Sequence, residues 1–436
     1  MPRSDEFVSV VLDVDAGAQP QMAEPDEETP FRILILGNFG GQARPRKPVD
    51  IDRDNFDDVM AAMDVRLDLG RGAALQFREL EDFHPDRIHA SLPLFREPAE
   101  APPPAAPTRK AADVDMGSLA GGSLLDDILN AGEPNAAPGR APTHDPMQEF
   151  LRQAVAPHLE PREDPGARKQ RAAADEAAGQ LMRALLHSTK FQALEAAWRG
   201  LFLLIRRLDT NSLLKVYVQD RTREDLAELL PAAPDDGGWS VVAGLYSFGQ
   251  SAQDIALLRA LARSARAAGA PFVSEGDLGQ AEAEAWETLR HAPEASWIGL
   301  ALPRFLLRLP YGTKTAAVES FPFEEIQGVP AHSDYLWGNA ALACACLLGE
   351  AFSRDGWRMR PGAARELGDM PLHVYDEDGE TRLRPPVELA MTPPDAEWAL
   401  DEGYMPLIWL LGQDSIRLVR FQSIADPAAP LSGRWG

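Results

Sequence analysis

The apolar positions fall into two dense tracts, separated by a stretch in which they are sparse and, but for one short island, unpatterned. In the first tract residues 31–36 read Phe-Arg-Ile-Leu-Ile-Leu and are closed by Gly37-Asn38-Phe39-Gly40-Gly41. A continuous apolar run of this length, ended by glycines, predicts a strand buried on both faces and running into a turn. Upstream, Phe7, Val8, Val10 and Leu12 alternate with small or polar residues, predicting a short strand followed by an acidic, Pro-rich, flexible arm. Downstream, Phe56, Val59, Met60 and Met63 share one face of a helix predicted over 52–63. Residues 75–77 alternate as a strand, and 80–88 enter a short helix.

The second tract begins near 146. Residues 167–208 carry Leu181, Leu185, Phe191, Leu194, Trp198, Leu201 and Leu204 at core-facing helical spacing. There follow a strand at 213–218, a helix at 223–230, a strand at 240–246, a helix at 253–268 and a strand starting at Pro271. This alternation predicts an α/β fold, layered, with a mostly parallel sheet covered by helices. Next comes the run Trp297-Ile298-Gly299-Leu300-Ala301-Leu302-Pro303-Arg304-Phe305-Leu306-Leu307-Arg308-Leu309-Pro310-Tyr311-Gly312. It reads as an apolar strand that stops at proline and continues as an arginine-bearing amphipathic turn. An alanine-rich helix is predicted over 338–352, a hairpin within 371–390 turning at Asp378-Gly379, and closing strands at 406–411 and 416–421.

Between the tracts, Ala, Pro and Gly dominate residues 97–145, the composition of a flexible tether. One island interrupts it, Ser123-Leu124-Leu125-Asp126-Asp127-Ile128-Leu129. Leu124, Leu125, Ile128 and Leu129 make one apolar face, and Ser123 can cap a helix predicted over 123–130. A helix this short is marginal alone in water and is expected to dock on something. The organisation is thus a domain over 1–96, a tether over 97–145 and a domain over 146–436. Because 31–36 is apolar on both sides, the two domains are expected to pack as one body.

Length and charge narrow the function. The 436 residues suffice for substantial cores, and the net charge of -24 argues against nucleic acid or an anionic membrane as main partner. No apolar signal core follows Met1 and no run is long enough to span a bilayer, so the chain reads as cytoplasmic, with no membrane insertion. Cys344 and Cys346 lie two apart on different faces of a helical pattern, which suits neither a disulfide nor a zinc site.

Candidate chemistry is thin. Gly37-Asn38-Phe39-Gly40-Gly41 follows a strand but lacks the G-x-G-x-x-G spacing of a dinucleotide turn. Gly312-Thr313-Lys314-Thr315 imitates the end of a phosphate loop, yet Leu307-Arg308 stand where its first glycine belongs. His332-Ser333-Asp334 holds three triad residue types side by side, whereas triads assemble from separated elements; a cap ahead of the 338–352 helix is the better reading. The remaining histidines show no H-x-x-x-H or H-E-x-x-H spacing. No catalytic residue, metal site or cofactor is expected, and the chain is not expected to be an enzyme. Arg304 and Arg308, four apart beside apolar residues, are candidates for surface salt bridges or inter-subunit contacts.

Two blocks resemble the contractile sheath of the type VI secretion system. Ile33-Leu34-Ile35-Leu36-Gly37-Asn38-Phe39, Arg46-Lys47-Pro48-Val49, Ile51-Asp52-Arg53-Asp54-Asn55-Phe56 and Leu75-Gln76-Phe77-Arg78-Glu79-Leu80-Glu81-Asp82-Phe83-His84-Pro85 resemble the small sheath subunit over about 1–95. The large subunit is resembled over about 116–425. That block includes the 124–129 island, Phe191-Gln192-Ala193-Leu194-Glu195-Ala196-Ala197-Trp198-Arg199-Gly200-Leu201, the 297–312 run, Asp334-Tyr335-Leu336-Trp337-Gly338-Asn339-Ala340 and Gly403-Tyr404-Met405-Pro406-Leu407. The resemblance implies a structural protein in which two subunits, separate in the family, are fused. Fusion would raise their effective concentration for each other. It implies sheath subunits or copies of the chain as partners, and possible contacts with the inner tube, the baseplate and a ClpV-type AAA+ ATPase. In the family that recycling ATPase binds the helix matching Leu124, Leu125, Ile128 and Leu129. The first block ends near Phe95-Arg96 where the family continues into further helices. The second stops soon after Phe421-Gln422-Ser423, where the family runs on through part of the inner sheath domain and a strand exchanged between neighbours. A non-polymerising adaptor or cap, bound to the sheath end, the baseplate or the ATPase, is the alternative expectation.

Overall fold

The first-tract strand Phe31–Gly37 (β1) is buried along its whole length, and it lies inside a sheet otherwise built mainly from the second tract. The computed structural model describes residues 25–95 and 165–435, apart from positions 44, 46, 71, 228, 229, 235, 236 and 279–282. The strand expected near Phe7, the tether 97–145 and its apolar island lie outside the described residues.

β1 pairs in parallel with Leu214–Asp220 (β5), from Phe31 opposite Leu214 to Gly37 opposite Asp220, and on its other side with Val241–Phe248 (β6), Ile33 opposite Val241. The sheet continues in parallel through Phe272–Gly276 (β7), Ile298–Leu302 (β8) and Tyr404–Trp409 (β14). Antiparallel strands close both margins: Val49–Ile51 (β2) beside β5, and Ile416–Leu418 (β15) then Glu366–Leu367 (β11) beyond β14. Among the described residues three small antiparallel pairs stand outside this sheet: Val65–Gly70 (β3) with Ala73–Phe77 (β4), Phe305–Leu306 (β9) with Trp337–Gly338 (β10), and His373–Glu377 (β12) with Glu380–Arg384 (β13).

The alternation of β1 feeds two cores. Phe31, Ile33 and Ile35 face one, Leu34 and Leu36 the other. The first core is covered by Phe56–Ala62 (α1), Pro85–Ser91 (α2), Pro165–Leu186 (α3), Thr189–Arg207 (α4) and Ala340–Asp355 (α7). The second is covered by Ala252–Ala268 (α5), Ala283–Arg290 (α6) and part of Pro393–Asp401 (α8). α7 is buried on all sides over its first three turns, which suits a helix that is apolar all round and places Cys344 and Cys346 in the interior as free thiols. The two domains expected from sequence therefore share one sheet and the cores on both of its faces, as the apolar pattern of β1 implies.

Several boundaries depart from the sequence expectation, each for a local reason. The helical tract 167–208 is divided in two, because Ser188 accepts the Phe191 N–H and donates to the Leu185 carbonyl, ending α3 and capping α4 at once. The 52–63 helix starts at Phe56, since Asp52 and Asn55 exchange side chain–backbone bonds in a turn ahead of it. The helix expected at 223–230 is only a 3-10 turn, Glu224–Ala227, where Asp225 accepts from the backbone and hydroxyl of Thr222. The amphipathic turn expected after Pro303 is extended chain instead: Phe305 and Leu306 pair with β10. The cap of α7 is Asn339, which accepts from Ala341 N, and not the His332-Ser333-Asp334 stretch, which forms its own 3-10 turn. β3, α6 and α8 lie outside the expected set.

Candidate functional site

The seam between the two sequence blocks joins residues far apart in the chain, and α4 organises it. Its apolar face presents Phe191, Leu194, Trp198 and Leu201. Trp198 is fully buried; its Nε1–H donates to the Phe39 carbonyl at 3.0 Å, and its ring meets Phe39 and Phe56 edge-on at 5.1 and 5.7 Å. Phe191 meets the stacked pair Phe77 and Phe83 edge-on in the same way. Geometries of this kind add to simple area burial. Polar contacts complete the seam. The Asp220 carboxylate accepts from Phe39 N at 2.8 Å and Gly41 N at 3.1 Å, so it fills the glycine turn after β1 from inside. Asp86 accepts from Glu319 N and Ser320 N; burial opposes its ionisation, but these bonds outweigh it and hold its carboxyl below the usual range. Arg53 donates to the carbonyls of Ile205 and Arg206, and Trp357 Nε1 donates to Thr29 O.

The adjoining flank of α4 holds a charge cluster. Arg308 donates to Glu195 at 2.8 and 3.2 Å and to Glu325 at 2.7 and 3.0 Å. Arg199 donates to Glu195 at 2.6 Å and to the Tyr311 hydroxyl at 2.8 Å, and Tyr311 N donates to Glu325 at 2.7 Å. Glu195 is 0% and Glu325 2% exposed. Two guanidinium groups thus face two carboxylates, with no charge left over. Burial alone would raise the Glu325 carboxyl, but Arg308, His187 and the Tyr311 amide outweigh it and bring it to about 2. Burial pushes the Tyr311 hydroxyl up to about 12. Arg308 also lies over the Tyr311 ring at 4.2 Å.

Comparison with known proteins bears on both halves of this seam. Residues 5–101 match the family model described as Type VI secretion system, VipA, VC_A0107 or Hcp2. Residues 169–237 and 277–425, half of the chain, match the model described as EvpB/VC_A0108, tail sheath N-terminal domain. The chain belongs to the type VI secretion sheath family. A relative, the type VI secretion system sheath protein TssC1 of Pseudomonas aeruginosa, is 30% identical over 290 residues, covering 56% of this chain and 58% of that protein. The chain therefore spans less than two thirds of that relative's length.

Within this sheath-family chain, small-subunit and large-subunit regions occupy one polypeptide, and the seam above is where they meet. The sequence-level candidates settle as follows. Arg304 and Arg308 both find carboxylates inside the chain: Arg304 donates to Glu388 in a two-bond fork at 2.8 and 2.6 Å, and Arg308 enters the buried cluster. Because the chain between them is extended, they reach different partners. Leu124, Leu125, Ile128 and Leu129 lie outside the described residues. The Gly312–Thr315 loop is occupied by Glu324, which accepts from the Thr313 amide and hydroxyl. His332 bonds Glu388 at 2.7 Å while Asp334 accepts from Ala331 N, so they serve separate contacts. Among the described residues no cluster of His, Cys, Asp and Glu could hold a metal ion, and no helix is long and apolar enough to cross a membrane. Glu195, Glu325, Glu388, Asp86 and Asp220 are the residues sequence reasoning did not single out. Only Glu195 had a signal: a carboxylate on the apolar face of a helix, with Arg199 one turn on.

Proposed function

We propose that this chain is a fused sheath subunit that reaches assembly with its small and large parts already joined, and that it assembles with further sheath subunits or with copies of itself. The observation that carries this reading is β1: a strand from the small-subunit region, buried on both faces, pairs on one side with β5 of the large-subunit region and on the other with β6 of the second tract. Withdrawing it would split the sheet between β6 and β5 and expose both cores. The chain would act as a structural part in the cytoplasm, with no catalytic step of its own. Its further partners would be those the resemblance implies, the inner tube, the baseplate and a ClpV-type ATPase. Negative-stain microscopy of the purified chain tests the reading. Filaments or rings support an assembling subunit; discrete monomers would sink it and favour the adaptor or cap. The apolar face Leu124, Leu125, Ile128 and Leu129 is the proposed ATPase contact. A peptide of residues 118–132 should bind the amino-terminal domain of that ATPase by calorimetry, and Leu125→Asp with Ile128→Asp should abolish binding.

A further inference from the structure

A cavity of about 520 Å³ opens where β6, β7 and β8 end, at the carboxyl edge of the parallel sheet. That edge is where open α/β sheets commonly place ligands. Its polar lining comes from five separate segments: Ser247 at the end of β6, Glu275 and Asp277 at the end of β7, Arg304 after β8, His332 from its 3-10 turn, and Glu388. The charges do not balance. Arg304 is forked onto Glu388, and His332 bonds the same carboxylate. Among the described residues no ion pair forms on Glu275, only 9% exposed, or on the exposed Asp277. Burial pushes the Glu275 carboxyl up to about 7, against the charge of Arg304 and a hydrogen bond with Ser247; Glu388 and Asp277 push the same way as burial. At the rim, Leu389 is 52% and Leu278 39% exposed, with Met391 beside them. Surplus negative charge and bare aliphatic surface lining one cavity are complementary to a long side chain with an apolar stem and a cationic head.

We propose that this cavity receives an arginine or lysine side chain from a partner polypeptide, with Glu275 and Asp277 accepting the cationic head and Leu278, Leu389 and Met391 packing against the flanking residues. A segment is favoured over a small free amine because the exposed leucines lie at the rim, where only residues flanking the head would cover them. The inference goes beyond the sheath reading and does not depend on it, since binding is measured on the chain alone and assembly is read by microscopy.

The test is calorimetric titration of the full chain with acetyl-Gly-Leu-Arg-Leu-Gly-amide, with the same peptide carrying citrulline in place of arginine, and with agmatine. The arginine peptide should bind with a Kd between about 10 µM and 1 mM at about pH 8. Binding should weaken roughly tenfold at about pH 6, as Glu275 takes up its proton. The citrulline peptide should not bind, and agmatine should bind at least about tenfold more weakly than the peptide. Glu275→Gln with Asp277→Asn should remove binding without lowering the melting temperature. Absence of binding at millimolar arginine peptide, equal binding of the citrulline form, or unchanged binding in the folded double variant would overturn the proposal. Agmatine binding as tightly as the peptide would overturn the partner-segment part of it. The citrulline arm needs no variant, so a misfolded double variant leaves the test intact.

Discussion

Arg304 and Arg308 stand four residues apart in one run, yet the structure gives them opposite surroundings. Arg308 is 11% exposed and sits in a closed cluster whose two cations and two anions cancel. Arg304 is 37% exposed and lies at the wall of a cavity in which acidic groups outnumber it. The difference follows from the backbone. Extended chain rises about 3.3 Å per residue, so the two arginines stand about 13 Å apart where a helical turn would have stacked them, and one reaches α4 while the other reaches the sheet edge. A cluster whose charges cancel offers little net charge to a partner and holds the chain together. An open cluster with unmatched charge costs stability until something neutralises it.

Removing Arg308 should produce the largest effect. Arg308→Met leaves Glu195 and Glu325 buried with reduced compensation and should cost about 3–5 kcal/mol by denaturant unfolding. A cost below about 1 kcal/mol would mean that the cluster is screened by solvent, and the contrast with Arg304 would collapse. Trp198→Ala should cost a similar amount, about 3–5 kcal/mol, because it empties the seam side of the same helix. A small effect there would place that face outside the core.

The two regions should respond to pH with opposite sign. The folded-state carboxyl of Glu325 lies near 2, below its usual 4.5, so its stabilisation is fully present above about 4.5 and is lost as pH falls toward 2. Glu275 lies near 7, above 4.5, so the stability linked to its proton is fully present below 4.5 and is lost as pH rises through 7. The difference between Glu275→Gln and the parent chain should therefore move in favour of the variant by about 2–3 kcal/mol from about pH 4 to about pH 8. A flat difference would show that Glu275 is better solvated than its burial implies. The smallest effect belongs to Arg304→Gln, which should cost no more than about 1 kcal/mol, since its ion pair is partly exposed.

Much of this architecture was legible in the residues. The unbroken apolar run of β1 announces burial on both faces, and the βα alternation announces a parallel sheet, because periodicity and turn residues are local properties. Element edges were less legible where side chains rewrite the backbone: Ser188 divides one periodic pattern into two helices, and Thr222 with Asp225 holds a 3-10 turn where periodicity suggested a helix. The cluster around Arg308 joins residues 195, 199, 308, 311 and 325, and the cavity joins 247, 275, 277, 304, 332 and 388. No spacing along a chain encodes such sets, since their members meet only when separate strands and loops converge. Residue order was enough to say which segments must be buried, that the two blocks form one sheath-type body, and that the glycines after β1 make a turn. Which charges cancel and which are left over depended on folding, because a carboxylate and a guanidinium interact through space and not through their order in the chain.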